Sequence, residues 1–245
     1  MKEAIIYLLA ITTAEVVTVA VQPMLGIASH IVVLVAAMVH SALTSEHRLR
    51  QLVLSLALVP LVRILSLCMP LAGIPQMWWY PLIYFPLIVA AVVAMRILGY
   101  RAGEVGLTFR LLPVQLAVML TGLLLGVMEY FILAPEAMIA EFTWREIWLP
   151  TLIFLVCTGF TEEFIFRGVL QRTAVEAFGW WGIVYISLLF AILHMGFLSW
   201  IDVAFVFAVA LFFGWVVKKT GSLLGVTLSH GITNAILYLV APFFF

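Results

Sequence analysis

The chain has 245 residues, of which 66% are hydrophobic and only 10% charged, and its mean hydropathy is +1.24. That is far more apolar than the roughly half-apolar usage of water-soluble domains, and it leaves too little polar surface to cover a soluble fold. The 12 Lys and Arg balance the 12 Asp and Glu, so net charge offers no electrostatic footprint for a nucleic-acid partner or an acidic substrate.

A spanning helix needs about 20 predominantly apolar residues. Stretches near 4–22, 26–43, 51–69, 78–97, 111–132, 150–176, 180–197, 201–217 and 222–241 meet that criterion. Lys2 and Glu3 precede the first run, and no small-residue cleavage pattern appears before Gln22 and Pro23, so the first span is expected to be uncleaved. Pro23 leaves open a tilted or re-entrant hairpin for the first pair, which makes the expected count eight or nine. The runs are continuously apolar rather than alternating, and backbone in lipid must satisfy its own hydrogen bonds, so helices are expected in place of strands. The expected fold is all-α, a polytopic transmembrane helical bundle. Cys68 and Cys157 fall inside apolar runs and read as small hydrophobes rather than a disulfide or zinc framework. The segment from Arg96 to Arg110, with Gly99, Gly103 and Gly106, forms a seam between accessory helices over 1–99 and a core over 100–245.

Basic residues set the expected orientation, because short cytoplasmic loops carry an excess of Lys and Arg. With the N-terminus inside, Lys2, Arg48, Arg50, Arg96, Arg101, Arg110, Arg172, Lys218 and Lys219 all reach cytoplasmic ends, and of the loop cations only Arg145 falls outside. The connection from Leu133 to Trp148, with Glu136, Glu141 and Glu146, suits the outer face, as does the uncharged stretch from Pro70 to Met77. Trp78, Trp79 and Tyr80 read as an outer aromatic belt, and Trp180 and Trp181 as an inner one.

Charge within a span is costly and marks either function or a structural pair. Glu15 and Arg63 fall at similar depth if their helices both start inside, which suggests an ion pair. His30 and His40 read as interior or interfacial histidines, and Glu129 and Asp202 as residues near outer ends where solvent suffices. The sixth span differs, placing Glu162 and Glu163 side by side in Thr161-Glu162-Glu163-Phe164-Ile165-Phe166-Arg167. Neighbouring helical residues point about 100° apart, so the two carboxylates cannot serve one role on one face. Glu163 and Arg167 have the i, i+4 spacing of a helical ion pair with the acid N-terminal, leaving Glu162 to face something else.

Two later pairs, Phe190 with His194 and His230 with Asn234, are each one helical turn apart. Glu162 and His194 are about equally far from the turn at 177–179 and should meet at one level, with His230 and Asn234 entering from a neighbouring helix. A buried carboxylate and an imidazole can hold and deprotonate water, while a second imidazole and a carboxamide can donate to a developing oxyanion. The chain lacks H-E-x-x-H and any evident nucleophile triad. No metal or other cofactor is expected, although two histidines and two glutamates leave a metal-dependent site as an alternative.

These three motifs, Glu162-Glu163 with Arg167, Phe190 with His194, and His230 with Asn234, closely resemble those of the CPBP family of intramembrane proteases. That family includes the CAAX prenyl proteases and bacterial bacteriocin-processing or Abi proteins. The likeness spans roughly residues 100–245. It implies a glutamic-type endopeptidase, historically grouped with metalloproteases, in which Glu162 and His194 activate water and His230 and Asn234 form the oxyanion hole. Glu163, Arg167 and Phe190 would then support the site.

The resulting expectation is a multi-pass protein of a prokaryotic plasma membrane, N-terminus cytoplasmic. Its partners would be the lipid bilayer and a membrane-associated protein or peptide substrate, lipidated or bacteriocin-like, reached from the cytoplasmic leaflet. A non-catalytic immunity or partner-binding protein would keep the same motifs for packing, and a proton-coupled transporter would need paired broken helices that are not evident. On the basic-residue asymmetry, a cysteine introduced at Arg101 is expected to label from the cytoplasmic side and one at Glu141 from outside; reversed labelling would overturn the orientation.

Overall fold

The computed structural model describes residues 2–245. Among them the regular elements are all helical, and nine helices are long and apolar enough to cross a membrane. These are α1 (Lys2–Ala20), α2 (Pro23–Leu43), α3 (His47–Cys68), α4 (Gln76–Ile97), α5 (Leu112–Leu133), α6 (Trp144–Phe178), α7 (Trp180–Phe197), α8 (Trp200–Thr220) and α9 (Leu224–Phe243). Pro23 occupies the first turn of α2, where a backbone N–H has no intrahelical partner to lose. The first pair is therefore two full helices rather than a broken hairpin. Large apolar side chains such as Ile6, Val32, Phe85, Leu124 and Phe131 remain exposed on outward faces. Such a belt suits lipid, where helices already satisfy their own backbone. Length and composition together read as an integral multi-pass membrane protein.

The longest helix, α6, has 35 residues, about 50 Å at 1.5 Å per residue against a hydrocarbon core of about 30 Å. It is not uniformly α-helical. Phe154–Phe160 and Phe164–Leu170 are π-helical and bracket the single α turn Thr161–Glu163. Thr161 Oγ1 donates to the carbonyl of Val156, five residues back, at 3.1 Å, as the wider π turn allows. Such turns are rare and cluster at functional sites. Here they set where the two adjacent glutamates point.

The helix α9 lies against α5 and α6, and glycine permits the approach. A Cβ on Gly159 would stand 2.6 Å from the Thr227 carbonyl oxygen, and one on Gly231 would stand 2.7 Å from Leu155 Cα. Small residues at a crossing let backbones come close where lipid supplies no hydrophobic drive for association. Any larger residue at either position would push α9 away from α6.

The N-terminal helices attach to the rest through buried polar contacts. Ser55 and Thr173 hydroxyls meet at 2.7 Å, joining α3 to α6, and Tyr185 of α7 donates to the Ala4 carbonyl at 3.0 Å. His40 Nδ1 lies 3.0 Å from the Tyr7 hydroxyl. The ion pair suggested by depth is present: Arg63 Nε lies 2.7 Å from Glu15 Oε1, and His30 Nε2 lies 3.1 Å from the same oxygen. Glu15 and His30 are fully buried, so a charge left alone there has no water to turn to. Arg63→Gln is expected to destabilise the protein by about 3–5 kcal/mol by leaving the buried Glu15 without its guanidinium. The neutral pair Glu15→Gln with Arg63→Gln should recover much of that loss. Thermal unfolding of the purified variants reads both; full additivity of the two single effects would show that the side chains do not interact.

Candidate active site

The site forms where α6, α7 and α9 meet, with α4 closing one side. Glu163 is fully buried and Arg167 nearly so. Arg167 Nη1 donates to Glu163 Oε1 at 3.1 Å, the i, i+4 pair expected from spacing. The same oxygen accepts from His230 Nδ1 at 2.8 Å, a contact that helix spacing gives no sign of because it joins α6 to α9. A carboxylate can accept from several donors at once. With Nδ1 directed to Glu163, His230 presents only Nε2 elsewhere, and this nitrogen lies 3.8 Å from Glu162 Oε2.

Glu162 points to a different face from Glu163, as the helical offset requires, and its Oε1 accepts a hydrogen bond from the Tyr84 hydroxyl. Tyr84 comes from α4, within the segment that sequence assigns to accessory helices, and it is the principal site residue that sequence reasoning misses. His194 Nδ1 is 2.9 Å from the Phe190 carbonyl. A carbonyl only accepts, so Nδ1 carries the proton and Nε2 keeps its lone pair. Phe190 also holds the Arg167 guanidinium over its ring, 4.2 Å from the centroid. Its ring meets those of His194 and His230 at centroid distances of 4.9 and 6.2 Å. It thus touches the cation and both imidazoles.

Asn234 donates from Nδ2 to Thr158 Oγ1 at 2.8 Å, and Thr158 in turn donates to the Phe154 carbonyl at 2.7 Å. One amide hydrogen of Asn234 stays uncommitted by this chain of bonds. Glu162, His194, His230 and Asn234 all line one cavity of about 260 Å³. Glu162 and His194 both line it, with no hydrogen bond between them among the described residues.

Two sequence expectations change here. Glu129 and Asp202 are not solvated at helix ends: Glu129 is 9% exposed and lines the cavity, while Asp202 is fully buried with neither carboxylate oxygen hydrogen-bonded among the described residues. Depth counted along one helix misses the neighbours that cover these side chains. The position of the cavity changes too. It is lined by Arg63 and Ser66 near the end of α3, Tyr80 near the start of α4, Phe197 at the end of α7 and Phe205 near the start of α8. Arg48, Arg96, Arg110, Arg172 and Lys218 mark the opposite ends of those and neighbouring helices. The cavity therefore lies toward the end away from the basic residues, not toward the basic end from which sequence expects access.

Metal ligation needs several His, Cys, Asp or Glu donors converging on one point. Among the described residues no three of these side chains cluster in that way.

No curated protein and no solved structure matches the chain. Residues 142–236, which hold every motif side chain from Glu162 to Asn234, match the family described as Type II CAAX prenyl endopeptidase Rce1-like, consistent with the CPBP family.

Proposed function

We propose that the chain is an intramembrane glutamic endopeptidase in which Glu162 and His194 activate a water and His230 and Asn234 stabilise the oxyanion. The observation that carries this reading is the convergence of those four side chains on one cavity while Glu163 is held by Arg167 and His230. A water between Glu162 and His194 would lose a proton to one of them as its oxygen attacks the scissile carbonyl carbon. The carbonyl oxygen then gathers negative charge beside the uncommitted Asn234 hydrogen and His230 Nε2, which donates when the ring carries both protons. The retained proton passes to the departing amine as the C–N bond breaks. Glu163 is a positioning residue, aiming His230 and offsetting Arg167 where neither could be solvated.

The substrate is a membrane-associated protein or peptide presenting an extended segment to an aromatic-walled cavity, with Tyr80, Phe166, Phe205 and Tyr238 on its lining. Extended backbone is needed because helical amides are already hydrogen-bonded and their carbonyls shielded. With the basic ends cytoplasmic, the segment enters from the outer half of the bilayer. The membrane is proposed to be a prokaryotic plasma membrane with the N-terminus inside, and residues 1–99 are proposed as accessory helices around a core at 100–245, α4 lending Tyr84 to the core's site.

Glu162→Gln is expected to abolish cleavage while leaving thermal stability near wild type, since the amide keeps the shape but cannot take the proton. Asn234→Ala should lose about 10²- to 10³-fold in rate as an oxyanion donor does. Tyr84→Phe should lose about 10-fold, the scale of one hydrogen bond to a charged group. Glu163→Gln should lower both Tm and rate. Proteomic comparison of membranes carrying wild type and Glu162→Gln, followed by a purified peptide assay, reads these effects; a Glu162→Gln protein that retains its biological role would replace the protease with a partner-binding protein. In the same assay activity should survive a strong chelator. Reversible loss restored by added metal would overturn the glutamic mechanism and leave proteolysis standing.

A further inference from the structure

A second cavity, of about 480 Å³, opens at the opposite end of the bundle from the active site. It lies between the 102–110 connection, the inner end of α6 and the end of α8, and its lining includes Arg110, Arg172, Lys218, Glu104 and Glu176. Its floor is tied down by backbone. Leu223 N–H donates to the Gly106 carbonyl at 2.8 Å, Thr108 Oγ1 donates to the Gly221 carbonyl at 3.0 Å, and Ser222 Oγ donates to the Thr108 carbonyl at 2.6 Å. Gly106 (φ +84) and Gly221 (φ +67) adopt the left-handed conformation that brings these strands of chain together.

The charges in this cavity are not mutually satisfied. Both acids are engaged: Glu104 Oε2 accepts from the Arg101 backbone N–H at 2.8 Å. Glu176 accepts from Arg172 Nε at 2.6 Å and from the Tyr100 hydroxyl at 2.7 Å. Arg110 and Lys218 have no ion-pair partner among the described residues. Arg167 also reaches this lining as well as that of the active-site cavity. Although Arg167 is 3% exposed, its Nη2 has no hydrogen-bond partner among the described residues. A buried guanidinium nitrogen without an acceptor is costly, and Arg167 is part of the lining of a cavity that already holds two unpaired cations.

We propose that this basic-end cavity, rimmed by Arg110 and Lys218 and reaching Arg167, binds a phosphate-bearing anion, supplied in the membrane by an acidic phospholipid headgroup. A phosphate group offers several strong acceptor oxygens, and Arg110 can meet it with a planar fork while Lys218 supplies a point charge. Basic pockets between helices at the membrane surface suit acidic headgroups. The unpaired cations are particular to this end, since Arg63 at the other cavity is paired with Glu15 and Arg167, shared by both linings, with Glu163, whereas Arg110 and Lys218 have no such partner among the described residues. Because Arg167 borders both cavities, an anion at this one sits one side chain away from Glu163. The site does not depend on the proteolytic reading.

The test is the Tm of the purified protein in neutral detergent, titrated in parallel with short-chain phosphatidylglycerol, short-chain phosphatidylcholine and inorganic phosphate. Phosphatidylglycerol should raise Tm by several degrees and phosphatidylcholine should not, because only a ligand that prefers the folded state stabilises it. A matching response to inorganic phosphate identifies the free anion as sufficient; no response to it identifies the acyl-linked headgroup as the source. Arg110→Gln with Lys218→Gln should weaken apparent affinity at least tenfold. Both side chains are exposed and unpaired, so this variant should keep its ligand-free Tm, and each single substitution should lose part of the response. Lys219→Gln, a neighbouring exposed cation outside the cavity, should respond like wild type. The proposal is overturned if the two lipids act alike, if the double variant responds like wild type, or if Lys219→Gln loses as much as the double variant.

Discussion

Glu163 Oε1 lies 3.1 Å from Arg167 Nη1 and 2.8 Å from His230 Nδ1, and in a fully buried setting this double contact governs how the other groups can be placed. A guanidinium alone within a span would be costly, and an imidazole alone could turn to either nitrogen. The shared carboxylate answers both problems. It offsets the cation, fixes which face of the His230 ring meets the cavity, and ties α6 to α9 at the level of Glu162. Phe190 completes the arrangement by stacking on the guanidinium and bordering both imidazoles.

That contact depends on backbone geometry as well as charge. The π turns on both sides of Thr161–Glu163 widen α6 locally, and the close approach at Gly159 and Gly231 brings α9 near enough for His230 to reach Glu163. The wide turns also present Thr158, whose hydroxyl accepts from Asn234. Thus the carboxylates, the second imidazole and the carboxamide are all positioned by one irregular helix and the helix packed on it. His194 alone comes from a separate helix, and its orientation is set locally by the Phe190 carbonyl.

Much of this was open to reading from sequence, for physical reasons that differ residue by residue. Glu162, Glu163, Arg167, His194, His230 and Asn234 stand out because ionisable or amide side chains are conspicuous within apolar runs, and helical spacing pairs them. Nine spans follow from length and hydropathy, and Glu15 with Arg63 follows from depth. Tyr84 does not stand out, because it lies in an aromatic-rich helix beside Tyr80 and Phe85, and nothing local distinguishes a phenol that donates to a carboxylate from one that fills space. The π turns leave no mark in an apolar run. Glu129 and Asp202 were legible as charges but not as buried ones, because burial is decided by helices distant in sequence. The cavity's end of the bundle was hidden for the same reason: it emerges only when the lining positions of several helices are taken together.

The two partners of Glu163 differ in how far along the chain they lie: Arg167 is four residues away and His230 is 67. A helix forms its i, i+4 contacts as it is made, whereas a contact between helices must await the later one. During synthesis α6 can therefore enter the bilayer with its cation already neutralised by its own neighbour. The imidazole and carboxamide join only after α9 has been added alongside. The order of the motifs along the chain separates insertion of a paired charge from assembly of the full polar cluster, so the growing polypeptide can pass through a membrane-embedded stage that carries its acids before their partners on the last helix arrive.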